Sequence, residues 1–195
     1  MKRLFVILAL LAASCATGTA PKDATTSFAD LESRLLAMPK IDVSYEAESA
    51  GPFPSDVKGV LATDAKDVYL NVNGTVERAM IMAIYSTESD KNPPPDTRRS
   101  VILGWTRMGL LHNIYRRTHD QYFEHAEGGI EDWVKVSNVK WDDSQKVYTF
   151  DIAVEGTGVA TAQLWVDASG LPLRRTQTVN FPSGVLKVEE RYKWR

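Results

Sequence analysis

The sequence predicts an α+β fold: a curved antiparallel β-sheet, a half-barrel of about 9–11 strands, with helices covering its concave face. Three observations predict it. The stretch Arg98 to Arg117, RRSVILGWTRMGLLHNIYRR, is apolar over an arc too wide for a helix that leaves one side in water. Segments of alternating apolar and polar residues stand on both sides of it. The five segments that follow it are joined by turns of only three or four residues, which impose antiparallel neighbours.

Taken in order, the chain opens with Lys2 and Arg3, then the apolar run Leu4 to Ala13. A run of that length suits a signal-peptide core and is too short to cross a membrane as a helix. Ala12, Ala13 and Ser14 lead into Cys15, the one cysteine of the 195 residues. This resembles the lipobox of bacterial lipoproteins, in which the signal is cut before a cysteine that carries diacylglycerol. Alanine three places before the cysteine departs from the preferred leucine. The other reading is an ordinary secretory signal cut nearby. Residues 1–14 are expected to be the lipoprotein signal, and Cys15 the lipidation site that anchors the chain to a membrane. Ala16 after it, rather than aspartate, resembles the default outer-membrane address of Gram-negative lipoproteins. The expected location is therefore the outer membrane, facing the periplasm.

Residues 15–26 are small and polar, with Pro21, and read as a flexible tether. Residues 27–195 read as a single domain. Ser27 and Asp30 form a capping pair, and Phe28, Leu31, Leu35 and Met38 mark the face of a helix closed by Pro39. Ile41, Val43, Tyr45 and Ala47 alternate with polar residues as a half-buried strand. Val57 to Thr63 and Asp67 to Val72 are two more, with Asn73-Gly74 as a hairpin turn. Val76 to Tyr85 is apolar on both faces and reads as a central, doubly covered strand. A loop with Pro93-Pro94-Pro95 leads to the wide helix, capped by Asp96 or Thr97. In that helix Val101, Trp105, Met108, Leu111 and Tyr115 form one face. Gly104 and Gly109 loosen it. The strands Asp132–Trp141, Lys146–Val154, Val159–Val166, Leu171–Phe181 and Val185–Trp194 complete the chain.

This order of elements resembles the periplasmic lipoprotein carriers and receptors of the LolA/LolB type. The most specific segment is Leu164 to Gln177, LWVDASGLPLRRTQ, similar to a strand, turn, Leu-Pro, basic segment of that superfamily. The resemblance implies an open half-barrel closed by helices around an apolar cavity. It also implies a ligand that is a lipid, an acyl chain or a lipoprotein, and no catalysed reaction. The alternative is a structural or sensory envelope protein that works through contacts with a protein partner and has no ligand cavity.

The residues set further bounds. Apolar content of 44% provides a core, and a net charge of −2 gives no broad positive surface for nucleic acid. His112, His119 and His125 lie at spacings that do not form a one-turn zinc pair, so no metal and no other cofactor is expected. No G-x-S-x-G elbow is present. Asp167 suits a turn ahead of Gly170 better than catalysis. Glu189 and Glu190 point to opposite faces of a strand and cannot form an acid–base pair. Arg98 and Arg99 oppose the helix dipole and invite a role with lipid headgroups or a partner's acidic patch, or else mark a solvated helix start. The candidate cavity lining is Trp105, Met108 and Leu111 from the helix with Tyr148, Phe150 and Ile152 from the strands. Plain core packing would give the same pattern.

Overall fold

The computed structural model describes residues 23–91, 96–111, 129–154 and 159–195. Nine strands form one antiparallel sheet in the spatial order β4-β3-β2-β1-β9-β8-β7-β6-β5. They are β1 (Ile41–Ala50), β2 (Ser55–Thr63), β3 (Val68–Val76), β4 (Ala79–Ser86), β5 (Val134–Asp142), β6 (Val147–Val154), β7 (Val159–Val166), β8 (Pro172–Phe181) and β9 (Gly184–Trp194). β4 and β5 are separate edges, so the sheet is open. Helices α1 (Ala24–Ala37), α2 (Thr97–Met108) and the short α3 (Ile130–Trp133) complete the described elements. Buried residues of α1, α2 and both halves of the sheet form one core cluster. This is the α+β architecture expected from the order of elements: an open antiparallel sheet closed on one face by helices.

α1 buries Phe28, Leu31 and Leu35 against the sheet. Its cap is Asp23, not Ser27: the Asp23 carboxylate accepts the Thr26 amide at 3.0 Å and the Thr26 hydroxyl at 2.6 Å. An aspartate four residues earlier satisfies a free amide of the first turn better than a serine inside it. The Ser27 hydroxyl instead bonds the Tyr148 phenol at 2.7 Å.

The hairpin turn between β3 and β4 is Glu77-Arg78, both with positive φ, and not Asn73-Gly74. A turn at Asn73-Gly74 would set Glu77 opposite Leu70 on the buried face. The observed register sets Tyr85 opposite Leu70 and Ala83 opposite Val72, and extends β3 along β2 as far as Val76. Gly74 is required for a different reason: a Cβ there would overlap the Asp56 carbonyl and sit 2.7 Å from the Val57 Cα. β4 also differs from expectation in being an edge rather than a covered central strand. Ile81, Ala83 and Tyr85 turn inward, while Met80, Met82 and Ile84 stand exposed on the outer face.

α2 is shorter than the apolar pattern suggests. It stops at Met108, and Gly109, with φ of 91°, donates its amide to the Gly104 and Trp105 carbonyls. Gly109 is therefore a helix terminator of left-handed backbone and not a loosening residue inside a helix. Leu110 and Leu111 follow, and residues 112–117 of the expected helix lie outside the described residues.

Candidate functional site

The inner face of the sheet meets α2 through two kinds of contact. The first is apolar. Trp105 is fully buried, with its ring edge-on to Tyr192 at 5.3 Å and tilted against Trp194 at 5.7 Å. Phe28 of α1 packs on Tyr148 at 5.4 Å and on Phe150 at 4.8 Å. The six expected lining residues thus divide between the two helices: Trp105, Met108 and Leu111 lie on or just after α2, while Tyr148 and Phe150 pack under α1. Ile152 lies on the same face of β6. All six share the one core cluster, and none is more than 7% exposed.

The second kind of contact is polar, buried, and centred on the end of α2. Arg175 of β8 and Glu190 of β9 face each other across the sheet, each 1% exposed. Arg175 donates from Nη1 to the Thr106 carbonyl at 2.8 Å. From Nη2 it donates to the Arg107 carbonyl at 2.5 Å and to Gln177 Oε1 at 2.9 Å. These carbonyls belong to the last turn of the helix, where a positive charge is favourable. Glu190 takes the amides beyond the terminator, Leu110 at 2.8 Å and Leu111 at 2.9 Å, and the Tyr192 hydroxyl at 2.5 Å. The guanidinium of Arg175 also lies 5.5 Å from the Phe150 ring centroid, so it bridges the two apolar groups. Burial lowers the Arg175 pKa, an effect opposed by Tyr192 and Glu190. The guanidinium nevertheless remains charged.

α1 and α2 are tied in the same way. Arg107 grips the buried Glu32 through Nε and Nη2, both at 2.8 Å, and the Thr106 hydroxyl adds a third bond at 2.9 Å. Burial works against the Arg107 charge, but Glu32 raises its pKa overall. At the other end of α2, Arg98 donates to the Leu36 and Met38 carbonyls at 2.9 and 2.5 Å, closing the C-terminus of α1. Arg99 pairs with Glu131. Both charges at the start of α2 thus have partners on neighbouring elements.

Sequence reasoning missed Arg175 and Glu190. A signal for the second was present: Leu186, Val188, Glu190, Tyr192 and Trp194 share one strand parity, so a carboxylate stood on the apolar face. Glu189, on the opposite face, pairs with Arg174 and Arg191. Asp167 accepts the Ser169 and Leu171 amides at 2.8 and 2.9 Å, the work of a turn residue. The three histidines lie outside the described residues, and among the described residues there is no His, Cys, Asp and Glu cluster able to hold a metal.

Two phenols are held neutral by this core. Burial, and then the nearby Glu190, raise the pKa of Tyr45 and of Tyr192 well above the ordinary value. In the unfolded chain both ionise near 10. Their contribution to stability is therefore intact below about pH 10 and is lost as the pH rises beyond it. A phenolate absorbance titration of the seven tyrosines should leave at least two that ionise only with unfolding. Ionisation of all seven in a single smooth step with the fold intact would contradict this.

No family model matches this chain, and no curated protein does. Solved structures similar to it include two that each match over 88% of this chain. One is MucB in complex with MucA(peri), with 11% identity and a TM-score of 0.37, over 88% of this chain and 56% of that one. The other is a LolA superfamily protein from Nitrosomonas europaea, with 9% identity and a TM-score of 0.26, over 88% of this chain and 92% of that one. The chain thus spans little more than half the length of the MucB chain.

Proposed function

We propose that this chain is a non-catalytic protein of the cell envelope, anchored through Cys15 to the outer membrane and facing the periplasm. It binds an apolar guest, a lipid, acyl chain or lipoprotein, between the inner face of the sheet and α2. The observation that carries this reading is how α2 is fastened. Its contact with the sheet between the two ends is apolar and non-directional, while its polar attachments gather at the ends, on Arg98, Arg107, Arg175 and Glu190. An apolar guest can replace such side chains like for like. Lifting Val101, Ile102, Trp105 and Met108 costs about 1.5–3 kcal/mol each. An acyl chain of about fourteen CH₂ groups returns roughly 11 kcal/mol at about 0.8 kcal/mol each. The two are comparable, so the end contacts decide whether the guest enters.

A second reading is favoured by the burial of all six lining residues: a closed core with no guest, and function through a protein partner. Native mass spectrometry of the full chain, extracted from membranes, separates them. A lipid mass beyond the modification at Cys15, increased when Arg175 is replaced, supports the first. No bound lipid in wild type or in the Arg175→Ala protein leaves the second.

The anchor has its own test. Cys15→Ser is expected to move the protein from the membrane pellet to the soluble periplasmic fraction or leave its signal uncut. A variant that fractionates with the outer membrane as wild type does would place the anchor elsewhere.

A further inference from the structure

The register of β4 sets Ala83 opposite Val72 and Tyr85 opposite Leu70, which turns its methionines to the outer face. Met80 and Met82 are each 78% exposed, on a strand that carries no charge. They stand two residues apart on one face, about 7 Å along the strand at roughly 3.4 Å per residue. The other two methionines among the described residues are covered. Met108 is 4% exposed at the end of α2, and Met38 packs half-buried against the core. The exposed pair is also unequal. Thr75, opposite Met80 in register, donates its hydroxyl to the Met80 sulfur at 3.7 Å. Among the described residues no hydrogen bond reaches the Met82 sulfur.

We propose that Met80 and Met82 are a paired oxidation site, each taking one oxygen atom from a peroxide, with Met82 first. A thioether reacts through a lone pair on sulfur. That pair attacks one peroxide oxygen, a sulfur–oxygen bond forms and the oxygen–oxygen bond breaks. Sulfur is oxidised by two electrons to the sulfoxide. The departing oxygen takes up the proton of the transferred one and leaves as water. Exposure decides which sulfurs react, because the peroxide must reach the lone pair and a close-packed core around Met108 gives it no path. Thr75 decides the order, because its hydrogen bond occupies a lone pair of Met80. The sulfoxide oxygens are polar and on this face they meet water, so the packing beneath does not oppose them. The outer face of β4 thus changes from apolar to polar while Met108 in the core stays reduced.

The test treats the purified full chain with hydrogen peroxide. Peptide mass spectrometry follows the sulfoxide at each methionine with time, and circular dichroism follows the fold. Met82 and Met80 are expected to react at least about tenfold faster than Met108, and oxidation of both should move the melting temperature by less than about 2 °C. Met82 should lead Met80 by about threefold, the effect of one weak hydrogen bond, and Thr75→Val should bring the two rates together. Met80→Leu with Met82→Leu should remove the fast phase of peroxide consumption and leave the slow one, which assigns that phase to the pair. Three results would overturn the proposal: Met108 or Met38 oxidised as fast as the pair, unfolding that accompanies oxidation of the pair, or a Met80 to Met82 rate ratio unmoved by Thr75→Val.

Discussion

Replacing Arg175 with alanine is expected to cost about 3–5 kcal/mol of stability, because its three buried acceptors lose their donor at about 1–3 kcal/mol for each one left unsatisfied. The reason lies in what is left behind. Glu190 remains buried with no facing cation, and the Thr106 and Arg107 carbonyls lose their donors at the end of α2. For a chain of this size each kcal/mol moves the melting temperature by about 2–4 °C, so a fall of roughly 6–20 °C is expected in a thermal melt. Arg175→Lys should recover little of it, because an ammonium on a flexible stem cannot span two carbonyls and Gln177 as a planar fork does. A change under about 2 °C would show that Arg175 does not hold the helix. The same variant bears on function: if a guest enters beneath α2, a weaker hold should raise the amount bound while it lowers the melting temperature.

Glu32→Ala is expected to cost about 2–4 kcal/mol, slightly less because the Arg107 side chain is 14% exposed and can partly reach water. Here the loss falls between the helices. Arg107 keeps its bond to the Val134 carbonyl at 3.2 Å but loses both carboxylate contacts, and Thr106 keeps only the Leu103 carbonyl. A double-mutant cycle with Arg107→Ala should return a coupling of about 1–3 kcal/mol, measured from denaturant midpoints. Additive losses would mean that the Arg107–Glu32 contact does not hold the two helices together.

Much of this fold was legible because alternation survives wherever one face is buried. β1 reads directly from Ile41, Val43, Tyr45 and Ala47, and all four are buried. The helix on the inner face was legible from the width of its apolar arc. What failed were the places where a local preference met a longer-range one. Asn73-Gly74 is a strong turn signal, yet pairing Leu70 with Tyr85 keeps Glu77 off the buried face, and that outweighs it. The double apolar face of β4 suggested cover on both sides, because sequence reports what a strand carries and not what lies against it. The charged core residues were hidden for a related reason. An arginine or glutamate is normally read as surface, and only the end of a helix in need of donors and acceptors makes the interior a place for them.

The strand order has a consequence in time. β1 and β9 are hydrogen-bonded neighbours in the middle of the sheet, with Ser44 bonded to Lys193 across 149 residues of chain. Neither half of the sheet can complete its centre until β9 has emerged. At about 5–20 residues per second of synthesis the first strand waits roughly 7–30 s for its partner. During that interval β1 lacks the strand that pairs with its second edge, and closing so long a loop is slow in itself. The chain therefore stays open for most of its synthesis and sets only when the last strand arrives.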